Sequence, residues 1–303
     1  MIPICLVTGF LGSGKTTFLR HIIDLHGDEK IVYLVNEFSS LDVDGDILRS
    51  DEDDVVAVPG GSIFCRCLVT EFAGRLREIP RRFGSDDEPI QSVVIEASGV
   101  ANPMVVEQML AETGLNEIYD LGRIVSIVDP GSLPKLIHTL PNIRSQIEAA
   151  DVVLVNKIDL FDEQQVAETE RIVREIAPEA EIVRTIRSRA NVNLLAEGSK
   201  RGREGDYALC ADPNFARFAL HFSAPVEIDA LQSALEDAAD CIYRAKGVVP
   251  THDGDRYVDM SATGLLIQES DRGAARGIAI IARAEEPEKV KRLVERFGRP
   301  DES

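Results

Sequence analysis

The chain has 303 residues, 44% of them apolar, and 52 Asp and Glu against 33 Lys and Arg give a formal charge of -19. That length and apolar content suit two domains with sizeable cores, and the acidity, about -15 of which lies before residue 214, argues against a nucleic-acid partner. Five scattered cysteines make no disulfide framework, and the opening MIPICLV lacks a basic leader and is too short to span a bilayer, so a cytoplasmic protein without a membrane partner is expected.

Short β-branched runs, ICLVTG, IVYLVN, SVVIEAS, RIVSIVD, DVVLVN and EIVRTI, alternate with helical stretches up to about residue 190. Continuous apolar runs joined by crossovers predict a parallel sheet covered on both faces. Directly after the first run comes GFLGSGKT, residues 9–16, followed by the helical TFLRHIIDL; this fits G-x-x-x-x-G-K-[ST] in the strand-to-helix context that the motif requires. Gly9, Gly12 and Gly14 let backbone N–H groups wrap a phosphate where a Cβ would obstruct them. Ser13 and Thr17 belong to the same candidate nucleotide site. Lys15 neutralises the β- and γ-phosphates, and Thr16 offers its hydroxyl to Mg²⁺ at the positive end of the helix dipole.

After the second run, NEFSSLDVDG (residues 36–45) carries Glu37, Asp42 and Asp44. A carboxylate there, Asp44 in particular, is a candidate Mg²⁺ ligand, directly or through water. A solvated acidic loop is the equal alternative, since residues 42–54 hold seven acids and only Arg49. GGSIFCRC (residues 60–67) places Cys65 and Cys67 on one face of an extended segment. Two thiolates are too few for a closed zinc site, so Glu37 or a histidine would have to complete it. Ordinary packing of two small apolar residues is the competing reading, and a disulfide is third because Cys-x-Cys strains that bond.

IEASGVANP (residues 95–103) sets Glu96 at a strand end and Gly99 where its N–H could meet a γ-phosphate. VLVNKIDL (residues 153–160) ends a strand in Asn-Lys-x-Asp. The Asp159 carboxylate there is expected to accept from both the N1 and N2 hydrogens of guanine, with Asn156 reading the other edge and the Lys157 stem covering the ring. Adenine offers neither donor, so GTP is expected over ATP. A helix over 162–176 has Asp162 as its cap. Residues 197–213 mix glycine, charge and a proline without period and read as a linker between a 1–196 domain and a smaller α+β domain, 214–303. In the second domain, strands near 217–223, 241–249, 256–262, 264–270 and 277–283 are joined by helices near 229–239 and 287–297. Cys5 is expected in the core. Cys210 and Cys241 share no spacing, and the five histidines form no metal-binding pair.

The segments TGFLGSGKTT, NEF with DVDG, EASGVANP, SQIEAADVVLVNKIDL and YRAKGVV (residues 243–249) together resemble the CobW-type GTPases, metal-centre accessory proteins grouped with the HypB and UreG types. The resemblance implies a P-loop NTPase domain of α/β class with a parallel sheet, followed by a CobW-type carboxy-terminal α+β domain. It also implies slow, Mg²⁺-dependent GTP hydrolysis, with Lys15, Thr16 and Glu96 as the catalytic residues. That hydrolysis would be coupled to delivery of a metal or cofactor to a client metalloenzyme or corrinoid protein. The family's usual Cys-x-Cys-Cys falls here on Ser62, Phe64 and Cys65, and Ser40 stands where a glutamate is usual. A site for Zn²⁺ or Co²⁺ at Glu37, Cys65 and Cys67 is therefore weighed against a metal-free GTP-dependent switch that captures a partner protein. A small-molecule kinase is a third reading, disfavoured by NKID and by the lack of an arginine-rich lid; dimerisation in one nucleotide state is left open.

Overall fold

The structure is a computed structural model that describes residues 1–36, 55–58, 68–85, 87–199, 205, 207, 214–261, 263–270 and 276–300. These residues fall into two compact units. The first is built on a seven-stranded sheet of β1 (Ile2–Gly9), β2 (Ile31–Asn36), β3 (Val55–Val58), β4 (Ser92–Glu96), β5 (Tyr119–Val128), β6 (Val152–Val155) and β7 (Glu181–Arg184). Their spatial order is β3-β2-β4-β1-β5-β6-β7, and every neighbouring pair is parallel. All six strand-like runs of the sequence are present. The added strand, β3, is a four-residue VVAV without a long apolar run to announce it.

Strand alternation sends successive side chains to opposite faces. Ile4, Leu6, Val32, Leu34, Val93 and Ile95 pack on one face with Phe72, Leu76 and Ile79 of the Val69–Phe83 helix and Met109 and Leu110 of the Val106–Glu112 helix. Cys5, Val7, Tyr33, Val35, Val94, Val125 and Ile127 pack on the other with Phe18, Leu19 and Ile22 of helix α1 (Lys15–Leu25). Each such Leu, Ile or Phe contributes about 1.5–3 kcal/mol over an exposed one. Burial pushes the Cys5 thiol up to about 12, so it sits in the core as a protonated apolar group. The Glu163–Ile176 helix starts at Asp162, which accepts from the Gln165 N–H while the Gln165 side chain accepts from the Asp162 N–H; this reciprocal cap fixes the boundary expected from sequence.

The second unit is a six-stranded antiparallel sheet, ordered β11-β10-β9-β12-β8-β13. It comprises β8 (Phe215–His221), β9 (Ile242–Thr251), β10 (Gly254–Ser261), β11 (Gly264–Glu269), β12 (Gly277–Arg283) and the two-residue β13 (Arg299–Pro300). Leu231 and Leu235 of the Ile228–Asp237 helix and Val290, Leu293 and Val294 of the Pro287–Phe297 helix share a core with Leu220, Ala245, Val249, Val258, Ile278 and Ile280. The chain is thus a parallel-sheet P-loop NTPase fold followed by a smaller α+β unit. Among the described residues, no helix is long and apolar enough to cross a membrane.

Candidate functional site

The site of the first unit gathers at the carboxyl ends of β1, β4, β6 and β7, the edge where open parallel sheets bind ligands. The turn after β1 takes Gly9, Gly12 and Gly14 through φ of +134°, +75° and +118°. The sterics are strict. A Cβ on Gly9 would lie 2.2 Å from the Ile127 carbonyl oxygen, and one on Gly14 would lie 2.4 Å from Asn156 Nδ2 and 2.5 Å from Ser188 Oγ. Gly14 is the N-cap of α1 and offers no side-chain cap, so the first N–H groups of that helix are left for a ligand. Lys15, nearly buried, donates to the carbonyls of Gly9 at 2.9 Å and Phe10 at 3.1 Å and closes the loop on itself. Ser13 Oγ is buried and meets no hydrogen-bond partner among the described residues, whereas Thr17 is exposed.

Glu96, the last residue of β4, is 5% exposed and accepts a long hydrogen bond from Thr16 Oγ1 at 3.4 Å. The parallel register that sets Val7 beside Glu96 brings this carboxylate to the phosphate loop. Beyond it, Gly99 approaches the loop so closely that a Cβ would lie 2.7 Å from the Leu11 nitrogen. The 99–101 segment is pinned by the Pro141–Glu148 helix: Gln146 Nε2 donates to the carbonyls of Gly99 and Ala101, both at 3.1 Å, and Asn142 Nδ2 donates to that of Val100 at 2.9 Å.

The base side is made by the turn after β6 and the loop after β7. Asp159 is exposed and lines an open depression of about 590 Å³ with Ile158, Arg184, Thr185, Ile186, Arg187 and Arg189. Lys157, Arg187 and Ser188 take φ of +63°, +52° and +54°, and they are the only non-glycine residues with positive φ among those described. Arg184 is anchored by Glu170 at 2.7 Å and Glu163 at 2.8 Å, and its hydrogen bonds hold the Glu170 carboxyl below the usual carboxylate range.

Asn156, expected from sequence to read the second edge of a base, is engaged here by protein groups at both ends of its amide. Its Nδ2 donates to the Ser13 carbonyl at 2.8 Å and to Ser188 Oγ at 2.7 Å, while its Oδ1 accepts from Thr185 Oγ1 at 3.1 Å and the Ser188 N–H at 2.7 Å. Both donors and both acceptor sites are spent, so the side chain braces the phosphate loop against the base-side loop. Thr185, Ser188 and Asn142 enter the site without any motif to mark them, and Gln146, inside the segment SQIEAADVVLVNKIDL, is not singled out there. Glu37, Asp44, Cys65 and Cys67, together with Asp42, Ser40, Ser62 and Phe64, lie outside the described residues.

In the second unit, Cys241 comes within 3.4 Å of Asp240 Oδ1 and 3.3 Å of Glu286 Oε2, a grouping its isolated position in the sequence did not suggest. Lys289 holds the other Asp240 oxygen at 2.6 Å. Burial and the two carboxylates push the thiol up to about 11, so it is a protonated donor to them at neutral pH.

Residues 3–184 match the model of the CobW/HypB/UreG nucleotide-binding domain. The chain is 31% identical over 209 residues to the zinc chaperone CobW of Pseudomonas aeruginosa, covering 59% of this chain and 54% of that protein. It is 25% identical over 285 residues to the zinc chaperone YjiA of Escherichia coli, covering 89% and 86%. The crystal structure of Zn(II)-bound YjiA GTPase from E. coli aligns over 98% of this chain and 99% of that one, at 19% identity and a TM-score of 0.47. The chain spans about half the length of the CobW relatives it matches. The match over 3–184 includes the phosphate loop, the Glu96 strand end and the Asn156 brace, and by it the chain belongs to the CobW/HypB/UreG family.

Proposed function

We propose that this protein binds and slowly hydrolyses GTP in a Mg²⁺-dependent manner and uses that cycle to deliver zinc to a client metalloprotein. The observation that carries the nucleotide half is the pairing of a glycine-walled phosphate loop with an open, Asp159-lined depression, joined through Asn156. In this reading the N–H groups of residues 12–17 and the Lys15 ammonium hold the phosphates, Ser13 Oγ supplies a further donor, and Asp159 accepts from the guanine N1 and N2 hydrogens while Lys157 covers the ring. Gly99 brings its N–H toward the γ-phosphate. The hard oxygens of Thr16 and Glu96 suit Mg²⁺, which when bound neutralises charge on the β- and γ-phosphates; Asp44 is a further candidate from sequence. Lys15 disperses the charge that builds on the leaving phosphate as water attacks.

The zinc half rests on the relatives named zinc chaperones and on the thiols of Cys65 and Cys67 with Glu37. Two thiolates and one carboxylate form an open set that exchanges its ion readily, as delivery requires. The substitution of Ser62 and Phe64 for two family cysteines favours the second reading, a metal-free switch that captures its partner in the GTP state. Zn²⁺ competition titrations, with and without a GTP analogue, on the natural chain and on a Cys65→Ser, Cys67→Ser double variant decide between them. Nucleotide-sensitive zinc affinity that the double variant loses supports delivery. Identical binding by both proteins in every nucleotide state removes it and leaves the switch.

A further inference from the structure

Ser188 stands where the two halves of the nucleotide site meet. It is fully buried and holds a left-handed backbone at φ +54°. Its N–H donates to Asn156 Oδ1 at 2.7 Å, its Oγ accepts from Asn156 Nδ2 at 2.7 Å, and the same Oγ donates to the Gly14 carbonyl at 3.0 Å. That carbonyl also accepts the Phe18 N–H at 2.9 Å, a bond in the first turn of α1. The hydroxyl has one proton, and it goes to the phosphate loop; an oxygen lone pair goes to the brace. Gly14 is therefore required from behind as well as from the phosphate side, because Ser188 Oγ fills the space a side chain at 14 would need.

The geometry points to Ser188 as a positioning residue for the nucleotide. Its hydroxyl fixes the Gly14 peptide, and with it the pitch of the phosphate loop, against the 184–189 loop that lines the base depression. One side chain thereby sets the spacing between the phosphate and base subsites. This rests on the nucleotide reading above. Ser188→Thr would keep the hydroxyl but add a methyl at positive φ, which β-branched residues avoid, whereas glycine accepts that backbone and removes the hydroxyl together with the Cβ that carries it.

Ser188→Gly consequently separates positioning from folding. Relief of the positive φ offsets part of the cost of the lost hydrogen bonds, so the variant should stay folded and melt only modestly lower than the natural protein. Losing two hydrogen bonds at a buried junction should speed release of a fluorescent GTP analogue by roughly five- to tenfold and raise KM by a similar factor, with kcat changing less than twofold. The amides of residues 14–18 should exchange hydrogen faster in the nucleotide-free variant. Adding Asn156→Ala to Ser188→Gly should speed release less than the product of the two single effects, because both act through one junction. Unchanged release and unchanged exchange in a folded Ser188→Gly protein would overturn the assignment. If the natural chain binds no GTP analogue, the nucleotide reading fails; the exchange measurement then decides the clamp alone, faster exchange supporting it and unchanged exchange overturning it.

Discussion

Gly9, Gly12 and Gly14 carry the phosphate side through positive φ at no steric cost, whereas the base side makes the same kind of turn at Lys157, Arg187 and Ser188, where an L side chain costs about 1–2 kcal/mol per residue. The two sides are stabilised differently as a result. The phosphate loop follows from its own composition. The base-side loops hold their backbone with the help of Asn156 and its partners and of backbone bonds such as the Ile158 N–H to the Thr185 carbonyl, so their shape depends on tertiary hydrogen bonds. Removing a residue from the first side should strike chemistry directly, and removing one from the second should strike affinity through geometry.

The largest expected effect lies on the phosphate side. Lys15→Ala should lower GTP turnover about 10³-fold, the size expected for losing a preorganised charge at the transferred group, with the folded state retained. Single-turnover hydrolysis and circular dichroism check both parts. Asp159→Asn should weaken GTP binding about 10²- to 10³-fold and erase the preference over ATP, because an amide meets one of guanine's two donors with a donor of its own. The exposure of Asp159 keeps this below the penalty of a sealed site. Calorimetry with both nucleotides measures it, and equal affinities in the natural chain would remove the base-recognition argument. Asn156→Ala should cost about 10²-fold in affinity, since it strands the Ser13 carbonyl and the Ser188 N–H without touching the base. An effect confined to guanine selectivity would instead return Asn156 to a direct reading role.

The smallest effect is at the rim. Hydrogen bonding to Arg184 lowers the Glu170 carboxyl, so the folded state favours the ionised form. Its contribution is present above the unfolded carboxyl range near 4.5 and is lost as pH falls through the lower folded value. With both side chains partly exposed the pair is weak. Glu170→Gln should reduce stability only slightly at pH 7, and denaturation curves of the two proteins should converge as pH falls through the lowered range of the folded carboxyl.

The contrast between the two sides also explains what could be read in the sequence. A phosphate loop imposes glycine at fixed offsets, so Gly9, Gly12, Gly14, Lys15 and Thr16 were visible, as was Asp159 at the end of an apolar run. Ser188 and Thr185 were not, because their roles depend on where β7 places them relative to Asn156, 32 and 29 residues upstream, and no residue type at those offsets is required by local geometry. Asn156 was visible as a site residue but its protein partners, Ser13, Thr185 and Ser188, were not. The sheet was legible because buried parallel strands are apolar on both faces; β3 and β13, at four and two residues, are too short to carry a periodic signal.

The burial of Cys5 and Cys241 has a practical use. Both thiols lie in the interior and are held protonated, at about 12 and about 11, so neither forms appreciable thiolate at neutral pH. An alkylating reagent applied to the native chain should therefore leave two of its five cysteines unlabelled. Any label that zinc removes then reports on the other cysteines, by mass spectrometry on the unaltered protein and without first mutating the core.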